Sequence, residues 1–389
     1  MPNKIAAITM VKNEADIIES FVRHTLKFAD VLLVTDHQST DETPLILQKL
    51  IDEGLPLYVN TFTKAGKFQS EVMTGLMYRA FDEYGADLAV ALDADEFLLH
   101  DMGGSEDLRA VLQSAATNEV YYIEWINYEL AEPEINGGKY LLGRPCRRSK
   151  EASPLQKVIV GREAALRDKL ILGQGNHHAI TKGTAENWLF SVKKDYLPNI
   201  HLAHFQWRSA AQQAAKNICN YLGNLARFSE YTIYAGSYKK YFEDYIAGER
   251  PPTEQIEASV AADLSHYENE CELCYTTGNI DVTADVMRLA EIFAKKAATD
   301  TVLLRQRKVT LILIYDGDTE GFNSSLQSMV KEPYPYKEFF VLAKNDTNFD
   351  EMLDLCQKTG ERITVVAWKN IAALPQKVGG EYVKEESDN

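Results

Sequence analysis

Between Ile5 and Phe97 the chain sets down four short apolar runs with a helix-length stretch between each pair. That order constrains the fold more than any other feature of the sequence. Ile5 to Val11, Val31 to Val34, Leu57 to Val59 and Leu88 to Leu92 are rich in aliphatic residues and too short for helices. Ala15 to Phe28 instead spaces Ile18, Phe21, Val22 and Leu26 along one helical face. The stretch carrying Leu45, Leu47, Leu50 and Ile51, and the one from Gln69 to Tyr84, also read as helices. A β-α-β-α-β-α-β succession demands a parallel sheet with right-handed crossovers, so the fold class is α/β. In such sheets ligands gather at the C-terminal ends of the strands. Polar residues stand there in this chain: Lys12-Asn13-Glu14 after the first run, Thr35 to Asp41 after the second, Asp93 and Asp95 after the fourth.

Alternate residues on an extended segment point the same way, so Asp93 and Asp95 face one object while Ala94 keeps clear. Two hard oxygen donors at that edge suit a magnesium or manganese ion, itself carrying phosphate oxygens. On its own such a pair reads first as a strand ending in a solvated acidic turn, and the rest of the chain shifts that balance.

The charge balance narrows the partners. With 41 Lys and Arg against 57 Asp and Glu, the net charge is −16, which argues against holding nucleic acid by phosphate neutralisation. Arg144 to Lys150 is one local basic run. The five cysteines follow no regular spacing, so no disulfide framework is expected. Cys271 and Cys274 read as neighbours on one helix face rather than as zinc ligands. No apolar run has the length to span a bilayer, and the first residues do not form a secretion signal. The expected compartment is the cytoplasm.

Beyond Asp95 the pattern changes. Glu119 to Glu129 alternates as a strand with unlike faces, Lys157 to Gly161 is another short strand, and Gly173 to His178 is a loop of little bulk. Ile200 to Phe205 is a last strand before Arg208-Ser209. From 216 to 307 the reading is mainly helical, broken at Pro251-Pro252. Residues 308–375 return to strand-helix-strand order, and 376–389 form a charged tail expected to be disordered.

Taken in order, residues 4–216 resemble family 2 glycosyltransferases of the nucleotide-diphosphosugar-transferase (GT-A) fold. The resemblance rests on Val11-Lys12-Asn13-Glu14, Asp36-x-x-Ser39-x-Asp41-x-Thr43 and Asp93-x-Asp95-Glu96-Phe97. It continues in Lys157-Val158-Ile159-Val160, Asn176-His177, and His204-Phe205-x-x-Arg208-Ser209-x-x-Gln212 with Lys216, which are similar to a bacterial branch with an Asp-x-Asp-Glu-Phe motif. It implies a GT-A domain over 1–215, a helical segment over 216–307, and a small α/β unit over 308–375 that looks like the first strands of the same fold begun again.

The activity so implied is metal-dependent, inverting transfer of a sugar from a nucleotide-sugar, expected to be a UDP-sugar, to a glycan or lipid-linked glycan in surface polysaccharide biosynthesis. The implied setting is cytoplasmic, at the inner face of a membrane, with peripheral membrane association and homo-oligomerisation through the C-terminal unit left open. The cofactor is Mn2+ or Mg2+. Asp93, Asp95 and His204 are the expected metal ligands. Asn13, Glu14, Asp36, Lys67, His177 and Arg208 are expected to contact substrate, Lys67 and Arg208 by neutralising the diphosphate. Inversion needs a carboxylate base; Glu124, among Tyr122, Trp125 and Tyr128, is the first choice, with Glu96 and Glu129 as alternatives. The competing readings are a nucleotidyltransferase, which would carry a basic glycine-rich loop where Glu14 and Asp16 stand, and a non-catalytic binding module.

Overall fold

A computed structural model describes residues 2–66, 68–131, 139–181, 195–227, 238–239, 259–276, 292, 309–315, 317–331, 337–343, 349–359 and 363–367. Lys67 and the tail 376–389 lie outside the described residues, as does most of 228–308. The chain divides into two compact units: unit 1 comprises 1–63, 68–209 and 254–281, and unit 2 comprises 64–67, 210–253 and 282–389.

Unit 1 opens with β1 (Ile5–Val11), α1 (Ile18–Phe28), β2 (Val31–Asp36), α2 (Thr43–Asp52), β3 (Leu57–Thr61), α3 (Gln69–Asp82) and β4 (Leu88–Ala91). These strands pair in parallel in the order β4-β1-β2-β3. Buried side chains on the two sheet faces alternate: Ile5, Ala7, Leu32 and Val34 join one core cluster, and Ala6, Ile8, Val31 and Leu33 the other. Burial on both faces is why these strands are continuous apolar runs rather than alternating ones.

The sheet then turns mixed. β5 (Glu96–His100) leads to α4 (Ser105–Ser114), β6 (Val120–Leu130), β7 (Cys146–Ser149) and β8 (Gln156–Gly161). α5 (Arg162–Asp168) is followed by a short hairpin of β9 (Leu170–Leu172) and β10 (Ala179–Thr181), and β11 (Ile200–Trp207) comes next. β8 pairs antiparallel with both β4 and β6, while β11 runs parallel to β6 and antiparallel to β5. This register brings the end of β11 beside the turn that follows β4.

The sequence carries a helical reading through 216–307, but residues 259–276 do not follow it. β12 (Ser259–Ala261) adds an antiparallel edge strand on β7. Tyr267 Oη accepts the His100 N–H at 2.7 Å, and the Glu270 carboxylate takes the Ser105 N–H at the start of α4 at 3.0 Å. Glu19, inside α1, accepts the N–H groups of Cys274, Tyr275 and Thr276 at 2.7, 2.8 and 2.8 Å. Cys271 and Cys274 therefore sit in an irregular stretch, not on a helix face, because tertiary partners claim its backbone.

Unit 2 contains α6 (Ala210–Arg227), and a parallel sheet in the order β13 (Val309–Tyr315), β14 (Lys337–Ala343), β15 (Ile363–Ala367), connected through α7 (Thr319–Lys331) and α8 (Phe349–Lys358). Leu313, Tyr315, Phe322, Leu326, Val341 and Met352 form its core. Among the described residues no helix is long and apolar enough to cross a membrane.

Candidate metal and substrate site

The loops after β1 and β2 satisfy each other, and this explains the spacing of their polar residues. Asn13, at φ +55°, occupies the left-handed region that asparagine tolerates. Its N–H donates to Ser39 Oγ at 2.9 Å and its Oδ1 accepts the Thr40 N–H at 2.8 Å. The N–H groups of Glu14 and Ala15 donate to Thr43 Oγ1 at 2.8 Å and Asp41 Oδ2 at 3.0 Å. Asp36, buried at the end of β2, accepts the Ser39 N–H. Asn13, Glu14 and Asp36 thus build the floor at the sheet's C-terminal edge through their backbone and turn contacts.

Asp93 and Asp95 do not share one extended strand. β4 ends at Ala91, and Ala94-Asp95 is a turn, so the i, i+2 rule for strands no longer applies. The turn is fastened by Glu96: its Oε2 accepts the Asp93 N–H at 2.8 Å, and its own N–H donates to the Asp93 carbonyl at 3.1 Å. The two aspartates consequently face different neighbours. Asp93 accepts Gln69 Nε2 at 2.8 Å, Asn176 Nδ2 at 3.4 Å and the Lys157 ammonium at 2.7 Å. Asp95, 1% exposed, lies with its Oδ2 3.5 Å from His204 Nε2 and 3.8 Å from Arg208 Nη1.

His204 reaches this point because β11 lies antiparallel to β5, setting His204 opposite Glu96. Its Nδ1 is 3.1 Å from Asn127 Oδ1, an acceptor that places a proton on Nδ1 and turns Nε2 to the Asp95 side. Ligand atoms of Asp95, Glu96 and His204 lie within 4.8 Å of one another. The Asp95 carboxylate and the His204 imidazole, with Glu96 close by but bonded to Lys157 and the Asp93 N–H, fit a hard divalent ion such as Mn2+ or Mg2+, which takes further oxygens from water or phosphate. Asp93 lies outside that group and pairs with Lys157 instead.

Electrostatics separate the members. Burial pushes the Glu96 carboxyl up to about 8, opposed by Lys157 and reinforced by Asp93 and Asp95. Burial would lower the Lys157 ammonium, yet Asp93 and Glu96 together hold it above its ordinary value. His177 is pulled down to about 4, by burial and then by Lys157. It donates from Nδ1 to the Gln156 carbonyl at 2.9 Å and stacks on Trp125 with ring centroids 5.3 Å apart. Trp125 also meets His204 edge-on at 4.3 Å. Gly175, at φ +71°, is needed below the His177 ring, where any Cβ would collide with it. Trp125 Nε1 and Asn176 Oδ1 are buried without a hydrogen-bond partner among the described residues.

Two expected residues take other places. Arg208 is 3% exposed and occupied: Nε and Nη2 grip Asp16 at 2.6 and 3.0 Å, and Nη2 also meets Glu14 at 2.5 Å. Burial would lower its guanidinium, but Asp16 and Glu14 raise it further above its ordinary value. It braces Asp95 against the β1–α1 loop rather than standing open to a diphosphate. Glu124 is exposed, opposite His201 in the β11 register, and so three residues, roughly 10 Å, from His204. Its neighbour Trp125 faces the histidines, so Glu124 points to the other side of the strand. Lys157, Asn176, Gln69 and Asn127 belong to the site although sequence reasoning gives none of them a role by itself. A lysine heading the apolar run Val158 to Val160 is the one available signal.

No family model and no curated protein matches the chain. Among solved structures it is similar to residues 1–349 of TarS from S. aureus at 13% identity and a TM-score of 0.34, covering 62% of this chain and 71% of that one. It is also similar to a mannosyltransferase of Pyrobaculum calidifontis in complex with GDP-Man and Mn2+, at 12% identity and a TM-score of 0.33, covering 77% and 76%. A third likeness is to glucosyl-3-phosphoglycerate synthase of Mycobacterium tuberculosis with Mn2+ and UDP, at 17% identity and a TM-score of 0.22, covering 33% and 45%. At these scores the likeness carries no functional argument, which rests on the site.

Proposed function

We propose that unit 1 is a GT-A-type glycosyltransferase that binds a nucleotide-sugar with a divalent cation and passes the sugar to a hydroxyl of a glycan acceptor. One observation carries this reading: Asp95 and His204, 109 positions apart in the chain, converge at the C-terminal edge of the parallel strands. The proton on His204 Nδ1 makes Nε2 the atom that would hold the ion, with Asp95 opposite. When bound, the cation would neutralise charge on a departing nucleoside diphosphate. The chain's own residues supply the rest. Asp93, fixed by three donors and 30% exposed, can accept a ligand hydroxyl. Trp125 Nε1 and Asn176 Oδ1 offer a donor and an acceptor that a polyol would satisfy. The stacked Trp125–His177 pair walls the site on one side.

A thermal-shift panel of nucleoside diphosphates and nucleotide-sugars, each with Mn2+ and with chelator, tests the reading. A ligand at a hundred times its Kd stabilises by about 2.7 kcal/mol, and at least one nucleotide should do so only with Mn2+. Equal shifts with chelator, or none from any nucleotide, would refute it.

A further inference from the structure

Two buried cations flank the acidic cluster, Arg208 on the Asp95 side and Lys157 on the Asp93–Glu96 side, and the position of Lys157 follows from sheet register. Val90 of β4 is level with Ile159 of β8, and the strands are antiparallel. Lys157, two residues earlier on the same face as Ile159, therefore reaches past the end of β4 to the turn at Asp93. Its side chain is 2% exposed. The ammonium lies 2.7 Å from Asp93 Oδ2, 2.9 Å from Glu96 Oε1, and 5.9 Å from the Trp125 ring centre. Burying an ammonium is costly unless it is paired, and here it pairs with two of the three acids and not with Asp95.

The geometry points to Lys157 as a positioning residue that sorts the three acids, holding Asp93 and Glu96 away from the cation so that Asp95 and His204 ligate it and Asp93 is turned toward a ligand hydroxyl. The assignment rests on the cation-binding reading above. Glu96 comes close enough to Asp95 and His204 to join them, yet its Oε1 is drawn to Lys157 and its Oε2 to the Asp93 N–H. Asp93 is held from one side by Lys157 and from the other by Gln69 and Asn176. Without the ammonium, a hard cation would gather every carboxylate within reach, because each added oxygen ligand tightens it. The site would then bind metal better and present substrate with one acceptor fewer. A merely structural lysine makes the opposite prediction: its loss would loosen the turn and weaken the metal.

Calorimetric titration of Mn2+ into the full chain separates the two, using the wild type, Asp93→Asn, Asp95→Asn, Lys157→Met and the Lys157→Met/Asp93→Asn double variant. With Lys157 present, Asp93→Asn should change Mn2+ affinity by less than about threefold, whereas Asp95→Asn should cost more than about tenfold. Lys157→Met should tighten Mn2+ at least about tenfold, and adding Asp93→Asn in that background should remove most of the gain, a non-additive cycle. Additive effects, or weaker Mn2+ binding by folded Lys157→Met, would overturn the assignment. If Lys157→Met does not fold, the two single aspartate variants decide: equal losses overturn it, and loss confined to Asp95→Asn supports it. A wild type that binds no Mn2+ would overturn the cation reading itself and this assignment with it, an outcome distinct from normal binding with additive variants.

Discussion

Glu19 and Glu96 are buried to the same depth, at 0% and 1% exposure, yet their carboxyl groups titrate in opposite directions. For both, burial is the largest influence and raises the pKa. Glu19 nevertheless ends below its ordinary value, because the backbone N–H groups of Cys274 and Tyr275, with Arg23 and Thr276, bond its charged form. Glu96 shares one ammonium with Asp93, lies close to Asp95, and ends near 8. The donors around a buried acid, more than its depth, separate an anchor from a site. Around Glu19 they are complete and hold 259–276 to α1. Around Asp93, Asp95 and Glu96 negative charge outruns its partners, the condition under which a cation is bound.

The largest expected effect is at the under-neutralised end. Asp95→Asn should lower sugar transfer by at least about a thousandfold, roughly 4 kcal/mol of transition-state stabilisation, while removing charge from a crowded cluster. Stability should change by less than about 1 kcal/mol, so steady-state kinetics beside a denaturant melt checks both halves. A collapse of the fold would mean that Asp95 is an anchor like Glu19. Glu19→Gln should do the reverse. It replaces an ion bonded by several N–H groups with an amide that must turn a donor toward them, at a cost of about 3 kcal/mol. Hydrogen exchange should find the amides of 274–276 opening first, with transfer per folded molecule unchanged.

The contrast also explains what can be read from the sequence. The parallel half is legible because β1 to β4 are apolar runs set by burial on both faces, and the polar ends of those runs mark the edge where ligands bind. Asp95 stands at one of those ends, whereas His204 comes from β11, on the mixed side of the sheet. Misreadings arise where a partner distant in the chain decides the outcome. Nothing in the sequence around Glu19 marks it as buried; it is bonded by a segment 255 residues later. Lys157 opens a short strand in the sequence, and its place beside Asp93 and Glu96 emerges only when β8 is laid against β4. β4 ends at Ala91, two residues before Asp93, and Arg208 is met by the acids at 14 and 16, contacts that spacing along the chain does not give. Alternation gives the two faces of β6 correctly but not which face meets the site, so it favours Glu124 where the structure puts Trp125.

A smaller effect comes from His24, buried in α1, where the Leu98 carbonyl accepts its Nε2–H at 2.8 Å and its Nδ1 accepts from Tyr140 Oη at 2.9 Å. Burial pulls it down to about 4, against about 6.5 when unfolded. Between those values the unfolded chain binds the extra proton, so the stability this group contributes is present above about 6.5 and is lost as pH falls. From pH 7 to 5 the loss should be about 2 kcal/mol. Melts of the wild type and His24→Gln at both pH values should show that difference between them. Equal pH dependence would mean that His24 is not held neutral. The smallest effect belongs to Glu124→Gln, which should change turnover by less than about threefold, since the side chain faces away from His204. A hundredfold loss would restore Glu124 to the reaction and mean that β6 turns its other face to the site.

The central claim, that an under-neutralised pocket beside His204 binds a divalent cation, is tested most directly by anomalous diffraction at the manganese edge from crystals grown with MnCl2 and a nucleoside diphosphate. The account predicts one anomalous peak, within about 2.4 Å of both Asp95 Oδ2 and His204 Nε2 and beyond ligand distance of Asp93. A peak held by Asp93 instead, or none at the end of β4 while the nucleotide is bound, would contradict it.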